Sequence, residues 1–139
     1  MRTVFILIIL VLILSYQSLF AQENQKNRVI ILTDIEADPD DTQSMIRLLL
    51  YSNVIDIKGL IATTSCWHKT RVAPESIEKV IQAYGKVQPN LNKHEAGFPK
   101  DETLLMKVKQ GLAKYGMQGV GDGKDSQGSD WIIKILEED

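Results

Sequence analysis

Five carboxylates, Asp34, Glu36, Asp38, Asp40 and Asp41, stand within eight residues, directly after the apolar run Val29-Ile30-Ile31-Leu32. Side chains of one charge packed this closely repel unless a positive group sits among them. One or two acids at a helix start would complement the helix dipole. Five beside a hydrophobic strand exceed that need and point to a hard cation. Calcium takes roughly 6–8 oxygen ligands and accepts carboxylates readily, whereas magnesium keeps more of its water. No His or Cys joins the cluster, which argues against zinc. An EF-hand loop does not fit, because a start at Asp34 puts its glycine on Pro39 and its closing glutamate on Met45. The phosphatase pattern of two aspartates followed by a small hydroxyl residue fails as well, since Asp34 is followed by Glu36 and then Ala37.

The elements that must hold these acids follow from apolar spacing. Residues 28–33 form a β-branched run that predicts a strand buried on both faces. Asp40, three residues before Gln43, is expected to cap a helix reaching about Ser52. Met45, Ile46, Leu48, Leu49 and Leu50 make that helix apolar nearly all round, so it is expected to be well buried. Residues 54–63 predict a second strand, its first half at an edge because Asp56 and Lys58 interrupt it. Pro74 suits the first turn of a second helix carrying Ile77, Val80, Ile81 and Tyr84. Residues 88–99 are expected to be a polar loop. Leu104, Leu105, Val108 and Leu112 form a stripe that predicts a third helix over 101–115. A glycine-rich loop, 116–128, precedes a last helix, 130–137, capped by Ser129.

Strands alternating with helices predict an α/β fold, the N-terminal part of a Rossmann-like, mostly parallel sheet with flanking helices. In such sheets ligands bind beyond the carboxyl ends of the strands. The acidic loop and the loop from Thr64 to His68 then share one prospective site. Only two strands are expected, and the chain ends after a helix, where a further strand is due. The expectation is the N-terminal part of a larger domain, because two parallel strands make a poor core.

Arg2, the apolar run 4–14 and the small residue Ala21 predict a secretory signal over 1–21, too short to span a bilayer. A flexible lead, 22–27, and the folded segment, 28–139, follow. A secreted or periplasmic location is expected, with no membrane partner after cleavage. Cys66 is the only cysteine, so no internal disulfide can form. It is read as a small buried filler. The 16 Lys and Arg against 18 Asp and Glu exclude a basic nucleic-acid surface. The glycine-rich segment lacks the lysine and serine of a phosphate-binding loop. Trp67 suits either stacking on a sugar ring or covering the core. His68 lies on the same loop, where the alternatives are sugar contact and covering the core, the second favoured. His94 is read as a surface residue, and Trp131 has the spacing of a core residue.

Thr33-Asp34, then Asp38-Pro39-Asp40-Asp41 opening an apolar helix, resembles the nucleoside hydrolases. Ile57-Lys58-Gly59-Leu60-Ile61-Ala62-Thr63-Thr64 is similar to their second strand and its threonine-rich end. The run Met45 to Asn53 looks most like a secreted branch described as cellulose-binding nucleoside hydrolase-like domains. The resemblance implies Asp34, Asp40 and Asp41 as calcium ligands, Asp41 foremost. It puts Glu36, one methylene longer than the family's aspartate, at the position of the base, with Asp38 as an additional acid. It also puts Trp67 in the place of the family's asparagine, which alters ribose recognition. Calcium-dependent hydrolysis of an N-glycosidic ribosyl bond is implied for the full-length protein, with this chain alone inactive. The alternative is cellulose binding on the same fold without hydrolysis. The ligand would be a nucleoside or a carbohydrate, and oligomerisation is left open.

Overall fold

The computed structural model describes residues 26–138. The expected signal, 1–21, and most of the expected lead lie outside the described residues. Strand β1 (Asn27–Thr33) leads into helix α1 (Pro39–Leu50), then strand β2 (Ile55–Ala62) and helix α2 (Pro74–His94). A short helix α3 (Asp101–Leu105), strand β3 (Val108–Gln110), a 3-10 turn (Met117–Gly119) and helix α4 (Gln127–Glu137) complete the order. The sheet has three parallel strands in the order β1-β2-β3. It is the expected α/β architecture, with one more strand than the sequence predicts.

The central strand is β2, not β1. From Gly59 to Ala62 it is buried throughout, while Leu32 in β1 is 59% exposed. The β-branched run, expected to be buried on both faces, instead forms an edge of the described sheet. The charged first half of β2 pairs with β1 alone and has no described strand on its other side, as expected, and only Leu60 to Ala62 are flanked by both β1 and β3. In that open half Asp56 and Lys58 pair with each other at 2.8 Å. The register of β1 on β2 slips between Val29 and Ile30, and then runs in step to the pair Thr33 and Ala62.

The third strand lies inside the segment expected to be one helix. That helix stops at Leu105, and Lys107 and Gly111 bracket the new strand. The Lys107 carbonyl accepts from the Leu60 amide at 3.0 Å, and the Gly111 amide donates to the Ala62 carbonyl at 2.8 Å. A Cβ at Gly111 would stand 2.7 Å from that carbonyl oxygen, so glycine permits the close approach. The stripe Leu104, Leu105, Val108 and Leu112 fits a helix equally well, and only β2 decides against one.

The polar segment 88–94 is helix rather than loop. Pro89 is accommodated inside α2, which runs on to His94. The return segment is tied back to it: Tyr84 Oη donates to the Pro99 carbonyl at 2.8 Å, and Gln88 Nε2 donates to the Phe98 carbonyl at 2.9 Å. Helix α4 starts earlier than expected. Ser126 is its cap, accepting from the Ser129 amide at 3.2 Å, while the Ser126 amide donates to Ser129 Oγ at 2.8 Å.

Leu60 and Ala62 face the main core with Met45 and Leu49 of α1, Ile77, Ile81 and Tyr84 of α2, and Leu104 of α3. Gly59 and Ile61, on the opposite face of the strand, meet α4. Helix α1 is less buried than its composition suggests: Met45 and Leu49 are covered, while Ile46 and Leu50 stay 46% and 45% exposed. Its apolar stripe is wider than the contact that α2 offers it.

Candidate functional site

The acidic loop and the loop after β2 meet at the carboxyl end of the sheet. The Ala37 amide donates to the Asp34 carbonyl at 2.9 Å, closing a turn directly beyond β1. Ile35 turns into the core with 1% exposure. Glu36 then takes φ 79°, in the left-handed region that few residues other than glycine adopt. Its carboxylate accepts from the guanidinium of Arg71 and from the hydroxyl of Ser76. Arg71 also reaches Glu75 at 3.4 Å. The Ser76 hydroxyl first, and the Arg71 guanidinium second, hold the Glu36 carboxyl below its ordinary value. Hydrogen bonding to Glu36 in turn raises the Arg71 guanidinium above its ordinary value.

Helix α1 opens two residues earlier than the sequence suggests. Asp38 is its cap, Pro39 its first residue, and the Asp38 amide donates to Asp41 Oδ2 at 3.3 Å. Asp40, expected as the cap, is an exposed residue of the first turn. Proline decides this, since its fixed φ and missing N–H suit the first helical position. Asp38 and Asp41 are thus engaged at the helix start. Asp34 stands at the end of β1 and Asp40 faces solvent. Among the described residues no three His, Cys, Asp or Glu side chains converge in a group able to hold a metal ion. The described residues alone therefore do not assemble a calcium site.

The loop after β2 is built on Ser65. Its Oγ accepts from the Trp67 amide at 3.0 Å and from the His68 amide at 3.3 Å, while the Ser65 amide donates to the His68 carbonyl at 3.1 Å. This tight turn leaves Trp67 73% exposed. Cys66 is exposed too, and not the buried filler expected from its type. The Tyr115 amide donates to the Lys69 carbonyl at 2.9 Å, tying the loop to the segment beyond β3.

Arg71 and Ser76 carry no weight in the sequence reading, yet they are the partners of Glu36. A signal existed: five crowded acids require a positive group, and Arg71 lies on the other loop at the same end of the sheet. Its pairing with Glu36 spans 35 residues, which spacing alone cannot reveal.

Residues 28–139 match the family model described as cellulose-binding Sde182, nucleoside hydrolase-like domain. The chain belongs to that family. A solved structure supports the membership of this Sde182-like domain. It is a nucleoside hydrolase-related hypothetical protein from Saccharophagus degradans, described as associated with carbohydrate metabolism. It is 43% identical, with a TM-score of 0.79 over 83% of this chain. The Sde182-like chain spans 28% of the length of that solved chain. No curated protein matches it.

Proposed function

We propose that this Sde182-like domain is part of a secreted or periplasmic carbohydrate-binding protein whose ligand is a cellulose-type polysaccharide. The observation that carries the reading is Trp67: a large indole, 73% exposed, standing on a hydrogen-bonded turn at the carboxyl end of the central strand. An exposed indole on a rigid turn offers an apolar platform for a pyranose face at low entropic cost. The family description, cellulose-binding, supports this ligand class. The apolar run near the N-terminus supports export.

Glu36 bears on the choice between binding and hydrolysis. A general base needs a free, proton-accepting carboxylate near the attacking water. Glu36 is instead ion-paired with Arg71 and hydrogen-bonded by the Ser76 hydroxyl, and its lowered pKa makes it a weaker base. A second reading, calcium-dependent hydrolysis of an N-glycosidic ribosyl bond, keeps one observation in its favour. Asp34 and Asp40 make no ion pair among the described residues and stand near the same end of β1. In that reading Asp34, Asp40 and Asp41 need further ligands from outside residues 26–138, and Asp38, the helix cap, would be the additional acid.

The test uses the full-length protein. Pull-down on insoluble cellulose should retain the wild type and lose most of the Trp67→Ala variant, while ribose release from inosine stays at background. Retention unaffected by Trp67→Ala would overturn the binding reading. Ribose release that needs Asp40 and disappears on calcium chelation would establish the second.

A further inference from the structure

A separate hollow opens between β3 and α4, on the sheet face opposite the main core. It has a volume of about 410 Å³ and is lined by Lys109, Gln127, Asp130, Trp131 and Lys134. Trp131 is expected from spacing to be core, but it is only partly covered. Its indole is held in place: Nε1 donates to the Lys58 carbonyl at 2.9 Å, and the ring abuts Gly59. A Cβ at that glycine would stand 3.2 Å from the ring, so a larger residue there would press the indole outward.

Two ammonium groups converge on this ring. Lys109 Nζ lies 4.4 Å and Lys134 Nζ 4.8 Å from the indole centroid. One lysine over an indole is ordinary surface packing, worth about 0.5–1 kcal/mol at an exposed site. Two repel each other, and packing alone gives no reason to gather them. The Lys109 ammonium is also held in place, donating to the Val108 carbonyl at 3.1 Å and to the Met106 carbonyl, with one N–H left for a ligand. It has no carboxylate partner among the described residues, and Lys134 has only Glu138, at 3.9 Å. Burial first, and Lys134 second, push the Lys109 ammonium below its ordinary value. The rim adds Asp130 and Gln127, which can accept from and donate to hydroxyl groups.

We propose that this hollow binds an acidic sugar unit of the uronic-acid class, its carboxylate on Lys109 and Lys134 and its ring against Trp131. A carboxylate supplies the missing negative charge, and a pyranose ring supplies the apolar face for the indole. Asp130 favours a hydroxylated ligand with one charge per sugar unit over a compact, multiply charged anion, which it would repel. This site is separate from Trp67: Trp131 is anchored to Lys58 in the first half of β2, whereas Trp67 follows the opposite end of that strand.

Calorimetric titration of the full-length protein with oligogalacturonate, a cello-oligosaccharide of equal length and inorganic phosphate tests the assignment. Oligogalacturonate should bind, and the Lys109→Gln, Lys134→Gln double variant should weaken it by about tenfold or more, since charge-assisted bonds are lost. The Lys109→Arg, Lys134→Arg variant should keep binding, and Trp67→Ala should leave it unchanged. Absence of oligogalacturonate binding would overturn the proposal. So would equal binding of either comparison ligand at this site, or an affinity indifferent to the Gln substitutions.

Discussion

The carboxylate of Glu36 accepts from the guanidinium of Arg71, so the acidic loop beyond β1 and the tryptophan-bearing loop beyond β2 are joined by one ion pair. The pair places a permanent cation among acids that otherwise repel. It also connects the loop that carries Trp67 to the strand end that carries Asp34.

The pair predicts a pH dependence. The Glu36 carboxyl is held below its ordinary value in the folded chain, by the Ser76 hydroxyl and then by Arg71. A depressed carboxyl contributes stability that is present above its unfolded pKa and is lost as pH falls through the folded one. Wild type should therefore exceed Glu36→Gln in stability at neutral pH, and the gap should close on acidification below about pH 4.5. Urea unfolding followed across that range measures it. A gap that does not change with pH would remove Glu36 as the linked group.

Backbone conformation at the same residue makes a second, independent prediction. Glu36 sits at φ 79°, which costs an L-residue about 1 kcal/mol or more and costs glycine little. Both Glu36→Ala and Glu36→Gly remove the carboxylate. Glu36→Gly should nonetheless be the more stable of the two by about 1 kcal/mol. Equal midpoints in chemical denaturation would argue that the loop relaxes out of the left-handed region.

At Gly111 the prediction concerns the third strand. Adding a Cβ 2.7 Å from the Ala62 carbonyl oxygen forces backbone apart, and backbone cannot rotate away as a side chain would. Gly111→Ala should destabilise by about 1–3 kcal/mol. Amide exchange at Leu60, whose N–H bonds the Lys107 carbonyl, should accelerate more than exchange along β1. Unchanged protection at Leu60 would mean that β3 pairs without this contact.

Tyr84 joins α2 to the segment that returns toward α3. Its hydroxyl donates to the Pro99 carbonyl at 2.8 Å and stands 3.4 Å from Ser52 Oγ, while its ring is in the main core. Tyr84→Phe keeps the ring and loses the bond to Pro99, which should cost about 1 kcal/mol. Thermal unfolding would show it, with most of the loss absent if water replaces the hydroxyl.

The elements that local pattern could define were legible. The strand runs, the opening of α1 near Asp38 to Asp41, and the stripe Ile77, Val80, Ile81 and Tyr84 on α2 are all where apolar spacing puts them. The third strand was not legible, because Leu104, Leu105, Val108 and Leu112 satisfy a helical period. Polar residues 88–94 hid a helical continuation that Tyr84, Gln88 and Asn92 secure through the return segment. In the candidate site, the acids and Trp67 stood out by type. Arg71 and Ser76 did not, since nothing local marks a residue as the partner of another 35 or 40 positions away.

By itself the sequence determined an α/β chain with acids clustered beyond one strand and an aromatic loop beyond the next. These are local properties, set by side-chain type and short-range period. Only the tertiary structure decided what those groups do to one another. Pairing with β1 on one side and β3 on the other made the second half of β2 central, while Asp56 and Lys58 pair with each other in its open first half. Pairing across loops gave Glu36 to Arg71 and Ser76, leaving its carboxylate occupied. Charge and packing at long range depend on distances in space, and those exist only once β1, β2 and β3 have come together.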